Sequence, residues 1–201
     1  MSRIIAGDLR GRTLTVPRSG TRPTSDRVRE AVFSALDSRG AIRGASVLDL
    51  YAGSGALGFE SLSRGAASLT AVEAARPAMQ VLKANARMLG VRPQLVNAKV
   101  ATFLAAGIAR VQGAPFDLVF LDPPYELDVS GDLRELADGD WMSQGGLAVV
   151  ERSVRSPQPE VPERFGEPTE KKYGDTVIWL LRAGPGGEER AAADGQTTLG
   201  T

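Results

Sequence analysis

The sequence contains neither cysteine nor histidine. Without cysteine there are no disulfides and no thiolate metal sites. Without histidine there is no imidazole base, no histidine-based triad and no histidine-ligated metal. Chemistry is left to carboxylates, hydroxyls, backbone groups, Lys and Arg, or to a borrowed cofactor, and no resident metal is expected. No apolar run approaches the ~20 residues that span a bilayer. The stretch Met1 to Arg12 carries charge with no apolar segment behind it, unlike a secretory signal. These absences point to the cytoplasm. Net charge is lacking as well: 24 Lys and Arg balance 24 Asp and Glu, which argues against indiscriminate polyanion binding.

What is present describes one well-cored domain. A chain of 201 residues buries roughly 70% of its unfolded surface and has little room for a second full domain. Charge is unevenly spread. Up to Glu30, seven arginines (Arg3, Arg10, Arg12, Arg18, Arg22, Arg27 and Arg29) stand against Asp8, Asp26 and Glu30. Arginine forks pair with phosphate oxygens, and a basic edge on a neutral body is a common nucleic-acid footprint. A solvated terminus accounts for the same residues equally well.

The first apolar stretches, Arg3-Ile4-Ile5 and Arg12 to Val16, flank Gly7-Asp8-Leu9-Arg10-Gly11 and read as a β-hairpin. Pro17 to Pro23 is a loop. Thr24, Ser25 and Asp26 are N-cap candidates for a helix carrying Val28, Val32, Ala35 and Leu36. Strands and helices then alternate. Strands are expected at 46–51, 68–72, 94–97, 116–121 and 146–151, with helices at about 56–63, from Pro77 to Leu89, at 101–111 and near 132–137. Lys171-Lys172-Tyr173 and Thr176 to Leu181 flank Gly174-Asp175 as a second hairpin. The alternation implies an α/β fold whose parallel sheet is covered on both faces, with an antiparallel hairpin added at the end. Gly184 to Thr201 has almost no large apolar side chain and is expected to be a disordered tail.

Gly53-Ser54-Gly55-Ala56-Leu57-Gly58 follows a strand and opens a helix, and Glu73 ends the next strand twenty residues beyond Gly53. Glycines permit a tight turn and close backbone approach, and an acid at that strand end suits two ribose hydroxyls. The loop specifies an adenosine-type cofactor and leaves a dinucleotide open. Asp49, four residues before Gly53, would face a pyrophosphate unfavourably and would suit a cationic amino-acid moiety such as that of S-adenosylmethionine. The bland alternative is a carboxylate that only braces the loop.

Asp122-Pro123-Pro124-Tyr125 follows the fourth strand. An exocyclic amine on a nucleobase is a poor nucleophile because its lone pair is delocalised into the ring. Asp122 and a backbone carbonyl near Pro123 can accept its hydrogens, and two prolines hold the backbone rigidly. Tyr125 offers a flat face for a base that has left its stack. As a lone tetrapeptide it would be a stiff turn, but its place after an apolar strand, downstream of a glycine loop, favours chemistry.

Together these motifs resemble Rossmann-like class I amino-methyltransferases. Arg22-Pro23-Thr24-Ser25-Asp26-Arg27-Val28-Arg29-Glu30-Ala31-Val32-Phe33, the Gly7/Gly11 hairpin and Lys172-Tyr173-Gly174-Asp175-Thr176 narrow the resemblance, over residues 3 to 182, to the RsmD family of 16S ribosomal RNA guanine-N2 methyltransferases. The resemblance implies a seven-stranded, mostly parallel sheet with its last hairpin antiparallel, and a monomer acting on a guanine of the assembled small ribosomal subunit. Residues 1–23 would be a hairpin and basic loop for RNA docking, 24–183 the methyltransferase domain and 184–201 the tail. Carried over by position, Asp49, Tyr51, Gly53, Ser54, Gly55 and Asp122 would line the cofactor and Glu73 its ribose. The turn Asn97-Ala98-Lys99-Val100 would hold the adenine, and Asp122 to Tyr125 the target amine. Arg3, Arg10, Arg12, Arg22, Arg27 and Arg29 would contact RNA. Lys99 stands where the family usually carries Asp or Asn. An ammonium cannot accept a hydrogen bond, so adenine recognition there is expected to rest on the backbone of Val100.

Three other readings stay open at this level. A DNA adenine-N6 methyltransferase shares both motifs but usually carries a further segment for reading base edges. A nicotinamide-dependent oxidoreductase shares the glycine loop and Glu73 and has no use for Asp122-Pro123-Pro124-Tyr125. A non-catalytic ribosome-assembly binder would need neither Asp122 nor the loop.

Overall fold

Hydrophobic side chains on both sides of the central strands dictate a sheet with helices on each face. The computed structural model describes residues 2–17, 26–109, 111–124 and 126–185. In chain order the elements are β1 (Ser2–Arg3), β2 (Thr13–Leu14), α1 (Asp26–Asp37), β3 (Ser46–Leu50), α2 (Ala56–Ser63), β4 (Ser68–Val72), α3 (Arg76–Leu89), β5 (Gln94–Val96), α4 (Val100–Ala105), β6 (Phe116–Leu121), α5 (Ser130–Asp138), β7 (Met142–Ser153), a 3-10 turn (Glu163–Phe165), β8 (Thr169–Tyr173) and β9 (Thr176–Arg182). The main sheet runs β5-β4-β3-β6-β7-β9-β8, and β1 and β2 form a separate antiparallel pair. Strands β3 to β7 pair in parallel, while β9 lies antiparallel between β7 and β8. This is the mixed α/β fold that the strand–helix alternation implied.

Strand alternation sorts the core into two layers. In β6, Leu118 and Phe120 join a cluster with Phe33 of α1, Phe59 of α2 and Leu82 of α3. Their neighbours Val119 and Leu121 pack with Phe103 of α4, Leu133 of α5 and Trp141. Each of these aromatic or aliphatic side chains contributes about 1.5–3 kcal/mol by leaving water.

Several boundaries differ from the pattern-based expectation. The helix expected to reach Val111 stops at Ala105, because Gly107 adopts φ 75° and its N–H closes on the Leu104 carbonyl. Strand β7 extends beyond 146–151 at both ends: Met142 pairs with Phe116 of β6 at one end, and β9 pairs along it as far as Ser153 at the other. The N-terminal hairpin has only two residues per strand, since much of its backbone is hydrogen-bonded to a helix. Thr24, Ser25, Arg22, Tyr125 and the tail from 186 onward lie outside the described residues.

The chain winds outward from β3 to β5 and then returns to β6 on the other side of β3, so the strand order reverses between β3 and β6. Ligands in such sheets bind outside the carboxyl ends of the strands at this reversal. Register defines what meets there. Leu50 pairs with Val72 and Leu121, Val72 with Val96, and Leu121 with Val150. The next residues along each strand, Asn97, Glu73, Tyr51, Asp122 and Glu151, therefore line one edge of the sheet in spatial order.

Candidate active site

Asp49 interrupts the apolar run of β3 and is 1% exposed. It faces α2, where the Gly58 N–H donates to its Oδ2 at 3.0 Å. A Cβ on Gly58 would stand 2.8 Å from Leu69 and 3.0 Å from that same carboxylate oxygen, so only glycine lets helix and strand approach this closely. Burial is the main cause that pushes the Asp49 carboxyl up to about 7, against the pull of the Gly58 bond, and the nearby charges of Asp122 and Glu73 push it further.

Glu73 takes the Gly53 N–H on Oε2 at 2.9 Å and the Ala75 N–H on Oε1 at 2.6 Å. Each oxygen keeps a second lone-pair direction for another donor. Gly53 and Gly55 have φ of 55° and 83°, and a Cβ on Gly55 would lie 2.3 Å from Phe59 and 2.6 Å from Leu82. The glycine requirement at Gly55 is thus both conformational and steric. Ser54 is half-buried, and its carbonyl accepts an amide hydrogen of Asn85 at 2.9 Å.

Tyr51 adopts φ 66°, a left-handed conformation that costs a non-glycine residue energy and clusters at functional sites. Its hydroxyl donates to Asp132 Oδ2, tying the end of β3 to the first turn of α5. Burial and the Asp132 carboxylate push the phenol upward, and burial likewise raises Asp132. Asp122 follows Leu121 and is half-buried. Pro123 is buried and Pro124 exposed. The Pro124 carbonyl already accepts the Leu127 N–H at 3.0 Å.

Asn97 braces the edge, donating to the carbonyls of Glu73 and Ala74 at 2.7 and 3.1 Å. Lys99 occupies the N-cap position of α4 without a side-chain capping bond and is exposed, whereas Val100 is buried. Asp49, Glu73, Asp122 and the loop 53–55 therefore converge, with Tyr51 beside them and Lys99 at the rim. Three carboxylates close enough to raise the pKa of one of them make a cradle for a cation and a poor site for a pyrophosphate.

Of the arginines, Arg3, Arg10, Arg12 and Arg27 are exposed. Arg29 is a correction. It is 1% exposed, and its guanidinium donates to Ser2 Oγ, the Arg3 carbonyl and Asp26, so it fastens β1 to α1 instead of facing solvent. Its spacing from Phe33 and Leu36, on the buried stripe of α1, was the available signal. Pattern reading also passed over Glu60, Asn85 and Asp132. Glu60 is fully buried and accepts the Ile5 and Ala6 N–H groups and Arg64 Nε. A glutamate or asparagine on the apolar face of a helix is the signal that marks such residues.

The fold and this site define a Rossmann-like class I methyltransferase. The family described as Conserved hypothetical protein 95 matches residues 2–182, and the chain belongs to that family, the RsmD family. It is 38% identical over 192 residues to ribosomal RNA small subunit methyltransferase D of Escherichia coli, covering 94% of this chain and 93% of that protein. The Haemophilus influenzae protein of the same name is 38% identical over 161 residues, 77% of this chain and 80% of the relative. The solved structure of yhhF from Escherichia coli superposes with a TM-score of 0.79 at 38% identity, covering 91% of this chain and 98% of that one. A Thermus thermophilus 16S rRNA N2 G1207 methyltransferase, solved with AdoMet and guanosine, shares the fold at TM-score 0.61 and 22% identity, over 81% of this chain and 44% of its own.

Proposed function

We propose that this chain transfers the methyl group of S-adenosylmethionine to the exocyclic N2 amine of a guanine in 16S ribosomal RNA, acting on the small ribosomal subunit. The observation that carries this reading is the convergence of Asp49, Glu73 and Asp122 on the glycine loop, beside the proline pair. The family membership and the methyltransferases among its relatives support it.

In this reading Asp49 and the loop 53–55 receive the amino-acid moiety, with the Asp49 charge favoured once an ammonium approaches. Glu73, held by two backbone N–H groups, uses its remaining lone pairs for the ribose hydroxyls. Val100 opens α4, and the N–H of a first-turn residue has no intrahelical acceptor, which suits it to a ring nitrogen of adenine, with Lys99 beside it at the rim. The cofactor, when bound, supplies an electrophilic methyl group on a cationic sulfur. Asp122 and the Pro123 carbonyl accept the two hydrogens of the target amine and aim its lone pair at that methyl group. Tyr125 stacks on the flipped guanine. The methylated nitrogen is acidic and sheds its proton without a strong base, so neither histidine nor a metal is required; proximity and electrostatics carry the acceleration. Arg3, Arg10, Arg12, Arg22 and Arg27 contact RNA phosphates, and the chain works as a monomer in the cytoplasm, where ribosomes are assembled.

The test is transfer of labelled methyl from S-adenosylmethionine to small subunits from cells lacking this gene, followed by nucleoside identification by mass. Labelled N2-methylguanosine is expected, and it should vanish with Asp122→Ala. Label appearing instead as N6-methyladenosine on DNA would overturn the substrate assignment.

A further inference from the structure

Asn85 sits in the middle of α3 with 1% of its surface exposed. Asparagine is a mediocre helix former and expensive to bury without partners, so neither the helix nor the core calls for it. Its partners explain the position. Nδ2 donates to the carbonyls of Thr15 and Ser54, both at 2.9 Å, and Oδ1 accepts the Thr15 N–H at 3.0 Å. Both amide hydrogens and the carbonyl oxygen are used. One side chain thus grips the strand that leaves the N-terminal hairpin and, at the same time, the glycine loop.

The loop needs such a grip. Ser54 lies between two glycines in the left-handed region, where backbone freedom is greatest. Gly53 is held by Glu73 on one side, and the Gly55 N–H closes on the Ala52 carbonyl at 2.7 Å. The Ser54 carbonyl between them is held by Asn85. Without that donor the peptide linking Ser54 to Gly55 loses its anchor on α3, and the Ser54 carbonyl gains freedom that the bonds at Gly53 and Gly55 do not remove.

We infer that Asn85 is a positioning residue of the cofactor site: it presets the Ser54 peptide for S-adenosylmethionine and makes the N-terminal extension and the cofactor loop one rigid unit. The inference rests on the function proposed above. Preorganisation acts on binding, since a mobile loop must be ordered when the ligand arrives. It does not act on the residues that hold the target amine, because Asp122 and Pro123 follow the end of β6, outside this contact.

The experiment measures S-adenosylmethionine affinity by calorimetry, and KM and kcat on small subunits, for the wild-type chain, Asn85→Ala and the smaller polar replacement Asn85→Ser, with melting curves for each. For both variants the dissociation constant and the KM for the cofactor should rise about tenfold, the scale of one lost hydrogen bond, with kcat at saturating cofactor within about twofold of wild type. A lower melting temperature with unchanged cofactor affinity in either folded variant would overturn the inference and reduce Asn85 to a packing residue. An equal fall in kcat with unchanged KM would overturn it too. A wild-type chain that binds no S-adenosylmethionine would instead sink the proposed function.

Discussion

Asp49 gathers the residue-scale physics of this protein. Its carboxyl is out of water, held by one backbone N–H and faced by two other acids, and so titrates at about 7 against an ordinary 3.8. The folded chain therefore holds this proton more tightly than the unfolded chain does. Between about pH 4 and 7 the unfolded state binds fewer protons, and stability falls as pH rises through that window. Asp49→Asn keeps an acceptor for the Gly58 N–H and removes the charge. The variant should melt several degrees above wild type at pH 8 and level with it near pH 4, as thermal scans across pH would register. Cofactor affinity has the opposite preference. It should weaken in wild type as pH drops below 7, and be lost in the variant at every pH. The glycine spacing, Asp49 and Glu73 were legible in the sequence, because loop chemistry is local. The burial of Arg29 was signalled by its spacing on α1, but its partners were not legible, since Ser2 and Arg3 lie more than twenty residues away.

At the scale of elements, the N-terminal hairpin is a fixed attachment. Its two-residue strands could not persist alone, as even longer hairpins are marginal in water. Helix α2 supplies what is missing. Glu60 takes the Ile5 and Ala6 N–H groups, Ser63 takes that of Leu9, and the Asp8 N–H reaches the Ser63 carbonyl. Gly7 packs so closely that a Cβ would stand 1.8 Å from the Ser63 carbonyl oxygen. Because α2 begins at the glycine loop, the exposed arginines of the hairpin hold a set position relative to the cofactor site. Reversing Arg10 and Arg12 to glutamate should weaken subunit binding more than about tenfold at moderate salt and flatten its salt dependence by roughly two phosphate contacts. Cofactor affinity should stay unchanged in the same calorimetric assay; a matching loss of both would mean the hairpin's charge is structural. A hairpin was readable from Gly7 and Gly11, but its dependence on α2 was not, because Glu60 and Ser63 carry no local sign of what they hold.

For the whole molecule, the balance of charge sets how it finds a substrate. A net charge of zero gives little long-range attraction to naked RNA, and the basic edge is narrow. Recognition should therefore depend on a preassembled surface. Methyl transfer is expected to be at least about tenfold faster on small subunits than on the same RNA stripped of ribosomal proteins, compared at matched ionic strength; equal rates would mean that the RNA fold alone suffices. Among the described residues no helix is long and apolar enough to cross a membrane.

The sequence by itself determined the order of strands and helices, the parallel sheet with its late antiparallel hairpin, the glycine loop and the Asp122-Pro123-Pro124-Tyr125 motif. Periodicity, turn residues and short motifs are properties of neighbours along the chain. Tertiary structure alone decided that Asp49, Glu73 and Asp122 share one field, that Tyr51 reaches Asp132, and that Asn85 joins Thr15 to Ser54. These contacts span between 24 and 81 positions of chain. They depend on strand register and helix docking, which a one-residue shift would undo and which no local pattern encodes.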